Sequence, residues 1–138
     1  MSLYSLLAAI HVIAAVGGVG QLSVIALMSR KPQHANLQLM LQLFRAVGGS
    51  LIIMLITGVA MLWITDWVYE HAWWLRIGFL LFVALGASHG IGQSTLKKII
   101  ASGQPLSTSA LAGKLRTLMT VASILLVLIV FLMEGKPF

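Results

Sequence analysis

The chain contains no cysteine and only three acidic residues among its 138 positions. Without cysteine it has no disulfide, no thiolate metal site, no cysteine-ligated iron–sulfur cluster and no c-type haem attachment. Charged residues of both signs make up 9% of the sequence, against about 25% in soluble domains. Apolar residues make up 59%, more than a water-soluble protein of this size can hide. The lipid bilayer is therefore the expected solvent.

Four long apolar runs account for most of the sequence, and each approaches the roughly 20 residues that a membrane-spanning helix needs. The predicted helices cover residues 3–28, 37–64, 73–98 and 112–133 of a single domain, residues 1–138. The first run lacks the charged start and the cleavage site of a secretory signal, which predicts a retained helix. The connections are short, so neighbouring helices are expected to run antiparallel. The sequence thus predicts an all-α fold, an up-down four-helix transmembrane bundle.

Basic residues are distributed unequally between the two sides of the predicted bundle. One side carries seven of them, which are Arg30, Lys31, Arg45, Lys97, Lys98, Lys114 and Arg116. The other side carries Arg76 and Lys136, with all three acids and all four tryptophans. Because basic loops stay in the cytoplasm, both termini are expected outside, giving an N-out, C-out protein of a bacterial inner membrane.

The excess of basic residues does not indicate a nucleic-acid partner. No basic stripe with interleaved aromatic residues is present in the sequence. In so apolar a chain, Lys and Arg are expected at the lipid headgroups, where they set the topology. The expected partners are the bilayer itself and, within it, a second copy of the chain or a larger membrane complex.

Two histidines lie within predicted membrane helices, where an unpartnered polar group is costly. Residues on the same helix faces are Ala14, Ala15 and Gly18 beside His11, and Gly86, Gly92 and Gln93 beside His89. These small residues predict that both imidazoles face the bundle interior, with room for a close helix or a flat ligand. At 1.5 Å per residue, their depths differ by about 10 Å, too far for one small metal ion without a strong offset.

Two hypotheses for these histidines stay open. In the first, the imidazole only hydrogen-bonds a neighbouring helix, and the partner of His89 would be Ser88, Gln93 or Gln21. In the second, the histidines are haem or metal ligands or a proton relay, because ionisable groups within a membrane mark functional sites. His34 and His71 fall in polar connections and are predicted to be surface residues. The seven methionines are scattered over different helices, which favours packing over a copper site.

Several short patches resemble the CopD-like and HemJ-like families of membrane proteins. The matching residues are His11 followed by Gly17-Gly18, Thr57-Gly58, Trp74 through Gly86 to His89, and the C-terminal FLMEGKP. The chain departs from the families at two places. Val16 stands where they often have tryptophan, and Gly78 stands near the place of a lysine.

The resemblance implies a four-helix membrane fold with redox or copper associations. HemJ-like proteins are b-haem-containing protoporphyrinogen oxidases, and CopD-like proteins are linked to copper uptake. By that match, His11 and His89 would ligate a haem b or a metal, with Gly18, Gly86 and Gln93 beside it. The expected function is haem b binding in a redox or porphyrin-related role, as a HemJ-like oxidoreductase if the protein is an enzyme. The alternatives are copper or metal transport of the CopD type, and a non-catalytic accessory subunit without a cofactor.

Overall fold

The fold consists of helices throughout the part of the chain that the computed structural model describes, residues 1–69 and 71–135. The four α-helices are α1 (Leu3–Arg30), α2 (Leu37–Ile64), α3 (Trp73–Ala101) and α4 (Ala112–Glu134). Each is long and apolar enough to cross a membrane. The predicted all-α, four-helix membrane fold is confirmed. Helix α3 continues to Ala101 rather than ending at residue 98, so Lys98 lies in its last turn and is not its final residue.

Local sequence explains where the helices begin and end. The Ser2 side chain caps α1 by accepting a hydrogen bond from the Ser5 amide, and the Asn36 side chain caps α2 in the same way. Pro32 follows the end of α1 and starts a single 3₁₀ turn, Pro32–His34. A second 3₁₀ turn, Leu106–Thr108, precedes α4. Side-chain caps are thus present at the starts of α1 and α2, whereas α3 and α4 follow Ala72 and Leu111 without one.

The helices form a ring in chain order, in which each packs against its neighbours and α4 closes back onto α1. The closest packing joins α1 with α2 and α3 with α4, so the bundle consists of two helical hairpins. The two 3₁₀ turns touch each other at one end of the bundle, which we name the basic end. The opposite end, which holds the α2–α3 connection and the first residues of α1, is named the aromatic end.

Buried side chains are concentrated in the half of the bundle next to the basic end. The apolar ones are Leu22, Ile25, Met40, Phe44, Val47, Leu85, Leu96, Ile99, Leu106, Leu115, Met119 and Ala122. In α1 every buried residue follows position 17, and in α4 every buried residue precedes position 123. Thr57 and Gly78 are exceptions, because they are buried near the aromatic end. The two hairpins therefore share a tight core at one end and a looser interior at the other.

Candidate functional site

His11 is half-buried on α1 in the looser half of the bundle, and its ring is anchored to α2. Its Nδ1 lies 2.8 Å from the Thr57 hydroxyl, and that hydroxyl lies 2.7 Å from the Ile53 carbonyl oxygen. A threonine hydroxyl has a single proton, which it donates to the carbonyl four residues earlier, as threonine often does within helices. The hydroxyl oxygen therefore accepts the N–H of His11 Nδ1. This leaves Nε2 as the unprotonated nitrogen of a neutral imidazole.

A glycine of α2 lies beside the His11 ring. A Cβ placed on Gly58 would be 3.5 Å from Cε1 of His11, so the imidazole lies directly over the helix backbone. One turn on either side, Met54 and Met61 share the face of α2 that carries Thr57, and both are half-buried. His11 therefore lies beside a helix face that carries two thioethers. This grouping was not predicted, because His11 is far from Met54 and Met61 in the sequence.

His89 is only 6% exposed and lies in the tight half of the bundle. Its Nε2 lies 2.7 Å from the Phe44 carbonyl oxygen, which can only accept, so Nε2 carries the proton. The imidazole also packs against the Phe44 ring at a centroid distance of 5.4 Å. A Cβ on Gly48 would lie 3.3 Å from Cε1 of His89, so this ring too lies over a glycine of α2. The predicted hydrogen bond to a neighbouring helix is present, but its acceptor is a backbone carbonyl and none of the three predicted side chains.

The two imidazoles do not meet. They contact Gly58 and Gly48 of the same helix, and ten residues of α helix span about 15 Å. Two imidazole nitrogens bound to one metal ion from opposite sides are about 4 Å apart, twice a typical metal–nitrogen bond. In this structure a single iron or copper ion could therefore have at most one of these two histidines as a ligand.

The small residues predicted to lie beside the histidines have different surroundings. Gly18 is buried where α1 crosses α2, since a Cβ there would lie 3.2 Å from the Ser50 Cβ. Gly86 has open space beside it, and Gln93 is half-buried. Gly92 is tightly enclosed, with Met119 and Phe44 around it. Gly48, which receives the His89 ring, was not predicted. Only the register between α2 and α3 reveals its role.

Gln21 adds a polar group to the interior of the bundle. Its Oε1 is buried and has no hydrogen-bond partner. Gly18 lies opposite Ser50, so the antiparallel register of α1 and α2 places Gln21 at the level of Val47, close to the level of His89. Gln21 was one of the three predicted partners of His89, but the His89 ring bonds the Phe44 carbonyl instead.

The remaining histidines are exposed, as predicted. His34 lies in the first 3₁₀ turn and lines a cavity of about 420 Å³ together with Arg30, Lys31, Pro32 and Gln33. His71 lies at the aromatic end, where its Nδ1 is 3.2 Å from an Arg76 guanidinium nitrogen. The acid next to it, Glu70, lies outside the described residues.

A preformed metal cage is not found in the described part of the chain, where no three His, Cys, Asp or Glu side chains cluster. Besides the open cavity beside His34, the described residues form an apolar groove of about 490 Å³ between α3 and α4. Neither is lined by His11 or His89. The His11 imidazole is suited to bind a haem iron or a copper ion through Nε2. Its other ring nitrogen, Nδ1, is fixed by a hydrogen bond, as in most metal-binding histidines. A haem at this position needs the looser half of the bundle to open beside α1.

Comparison of the chain with protein-family models, with curated proteins and with solved structures gave no match. The resemblance to CopD-like and HemJ-like proteins therefore stays a prediction, and the chain is an integral membrane four-helix bundle by its fold.

Proposed function

We propose that this membrane bundle binds b-type haem through His11, in a redox or porphyrin-related role. The observation that carries the proposal is the hydrogen bond of 2.8 Å between His11 Nδ1 and the Thr57 hydroxyl. It fixes the tautomer and the ring orientation, and it leaves Nε2 as the nitrogen that would bind a haem iron. A neutral imidazole also suits the membrane, because no charge has to be placed in lipid.

The residues around His11 have separate roles in this proposal. Thr57 holds the ring, and Gly58 allows it to lie against α2. Ala14 and Ala15, half-buried on the His11 face of α1, take up little of the space next to it. His89 holds α3 against α2 through the Phe44 carbonyl and is not a ligand to the same iron. A bound haem would supply one-electron chemistry, and the low burial near the aromatic end is compatible with its insertion there.

The test is the visible spectrum of the protein purified in mild detergent from cells supplied with haem precursor. We expect a Soret band that sharpens and shifts on reduction with dithionite. His11→Ala should remove the band, and His89→Ala, as the matched control, should keep it in the fraction that folds. A colourless wild-type protein rejects haem binding. A band that survives His11→Ala but not His89→Ala would show that His89 is the ligand and that the assignment to His11 is wrong.

Copper(I) binding is a second candidate, because Met54 and Met61 flank the position of His11 on α2. Imidazole and thioether ligands together suit Cu(I). Met54 and Met61 lie on α2 one turn before and one turn after Thr57, which holds the His11 ring, and would provide the thioethers. This candidate predicts binding of Cu(I) in competition with a chelator, lost in His11→Ala and in Met54→Leu/Met61→Leu. The same pair of leucines should leave haem binding intact. A protein that binds neither haem nor Cu(I) is best explained as an accessory subunit, which should co-purify with a partner.

A further inference from the structure

We propose that the basic end of the bundle binds anionic phospholipid, with the lipid phosphate held in the cavity at the end of α1. This site is independent of His11 and of any cofactor. The cavity has a volume of about 420 Å³ and is lined by Arg30, Lys31, Pro32, Gln33 and His34. Its ligand class follows from the charge of this end of the molecule, from the donors in the cavity and from the lipid-facing surface next to it.

The basic end carries a concentration of positive charge. All four helices or their ends contribute exposed cations there, namely Arg30, Lys31, Arg45, Lys97, Lys98, Lys114 and Arg116. Asp66 and Glu134, the acidic residues within 1–69 and 71–135, lie at the opposite end of the bundle. Clusters of four to eight basic residues beside membrane helices attract anionic lipid headgroups. An anionic lipid would therefore supply the missing counter-charge.

The cavity concentrates donors suited to a phosphate. Arg30 presents a planar guanidinium, which binds phosphate oxygens in pairs, and Lys31 adds an ammonium group. The cavity is formed by one short segment, residues 30–34. This segment is held in place because its 3₁₀ turn, Pro32–His34, packs against the turn Leu106–Thr108. The donors are therefore presented by an ordered part of the basic end and not by a single solvated side chain.

A phospholipid fits this position better than a free phosphate. Leu27 lies one turn before Arg30 on α1 and is 61% exposed, as is usual for a side chain that faces lipid. A phosphate bound by Arg30 and Lys31 therefore has an apolar helix surface directly below it for the attached acyl chains. Inorganic phosphate would use the cations alone and gain nothing from that surface.

The test measures lipid retention by native mass spectrometry, after exchange into detergent containing equal amounts of phosphatidylglycerol and phosphatidylcholine. Wild-type protein should retain phosphatidylglycerol preferentially. Arg30→Gln/Lys31→Gln should lower that retention more than Lys97→Gln/Lys98→Gln, whose loss of two surface cations lowers it at most about 25-fold at roughly fivefold per cation. Lys97→Gln/Lys98→Gln is the matched control, because it removes two exposed cations from the same end but outside the cavity.

Three results overturn the proposal. Equal loss in the two double variants means a diffuse surface charge without a cavity site. Equal retention of the two lipids by the wild-type protein removes the preference for anionic headgroups. Displacement of phosphatidylglycerol by excess inorganic phosphate at constant ionic strength means that the site binds free anions. Arg30→Lys/Lys31→Arg keeps both charges and should retain lipid, which separates loss of binding from loss of folding.

Discussion

At the scale of single residues, the two intramembrane histidines have different chemistry although the sequence presents them as equals. Each lies on a helix face that also carries small residues, and each donates one N–H hydrogen bond to α2. The difference lies in which nitrogen donates, Nδ1 in His11 and Nε2 in His89. The sequence predicted that both are inside and partnered. It did not predict the acceptors, because these depend on how far α1 and α3 are shifted along α2.

The hydroxyl of Thr57 is expected to control ligand binding by His11. Thr57→Val removes the acceptor of the Nδ1 proton at nearly constant volume, so the imidazole loses its fixed tautomer. Loss of such a hydrogen bond typically weakens binding about 10- to 100-fold. Titration of haem or Cu(I) into the protein measures the effect, with Thr57→Ser as the control that should bind like wild type. Equal affinity in Thr57→Val and wild type contradicts the assigned role.

The buried Oε1 of Gln21 is expected to be a cost to stability. Because this oxygen has no partner, replacing the amide by an apolar group of similar size removes a penalty of about 1–3 kcal/mol. Gln21→Leu should therefore raise the thermal unfolding midpoint in detergent or leave it unchanged. Gln93→Leu, which alters a half-buried glutamine of α3, is the comparison. A marked fall confined to Gln21→Leu would reveal a buried water or ligand bound to the amide.

At the scale of elements, the lengths of the helices were predictable and their faces only partly so. Asn36 and the apolar run after it predicted the start of α2, and the structure places it at Leu37. Gly86 and Gly92, on the same face as His89, were both expected to allow close approach of a helix. Gly92 lies in such a close contact, whereas Gly86 has open space beside it. A membrane helix is apolar all round, so its sequence contains little information about which side meets another helix.

Gly90 and Gly92 of α3 are two residues apart, one exposed and the other buried, and should respond oppositely to alanine. A Cβ on Gly92 would lie 2.7 Å from the end of Met119 and 3.2 Å from the Phe44 ring, both fully buried. Gly92→Ala should therefore destabilise the bundle by about 1–3 kcal/mol through overpacking. Gly90→Ala meets no atom within 4 Å and should be neutral or gain up to about 1 kcal/mol of helix propensity. Unfolding in a denaturing detergent measures both, and equal effects would contradict the packing.

The α2–α3 connection contains two residues in the left-handed region, Asp66 at φ 50° and Trp67 at φ 57°. A side chain in that region costs roughly 1–2 kcal/mol, which glycine avoids. Asp66→Gly should therefore raise the thermal midpoint of unfolding. Val68→Gly, in the same exposed connection but without a positive φ, should not. A fall in stability on Asp66→Gly would show that the aspartate side chain makes a compensating contact.

At the scale of the whole molecule, the uneven distribution of charge predicts the orientation in the membrane. The structure places the two basic connections at one end of the bundle, and the sequence predicts that this end is cytoplasmic. The absence of cysteine allows a direct measurement with single-cysteine variants. Val68→Cys should react with a membrane-impermeant thiol reagent in intact cells, whereas Gln33→Cys should react only after lysis. The reverse pattern would invert the topology.

The uneven burial has a mechanical consequence. Side chains from all four helices interlock near the basic end, while α1 and α4 lack fully buried residues near the aromatic end. The bundle should therefore be stiff in one leaflet and compliant in the other. Lateral pressure in a bilayer differs with lipid shape, and lipids that relieve pressure in the leaflet around the aromatic end would allow the two hairpins to move apart there. The composition of a single leaflet would then set how open the space around His11 is, without any change in the core.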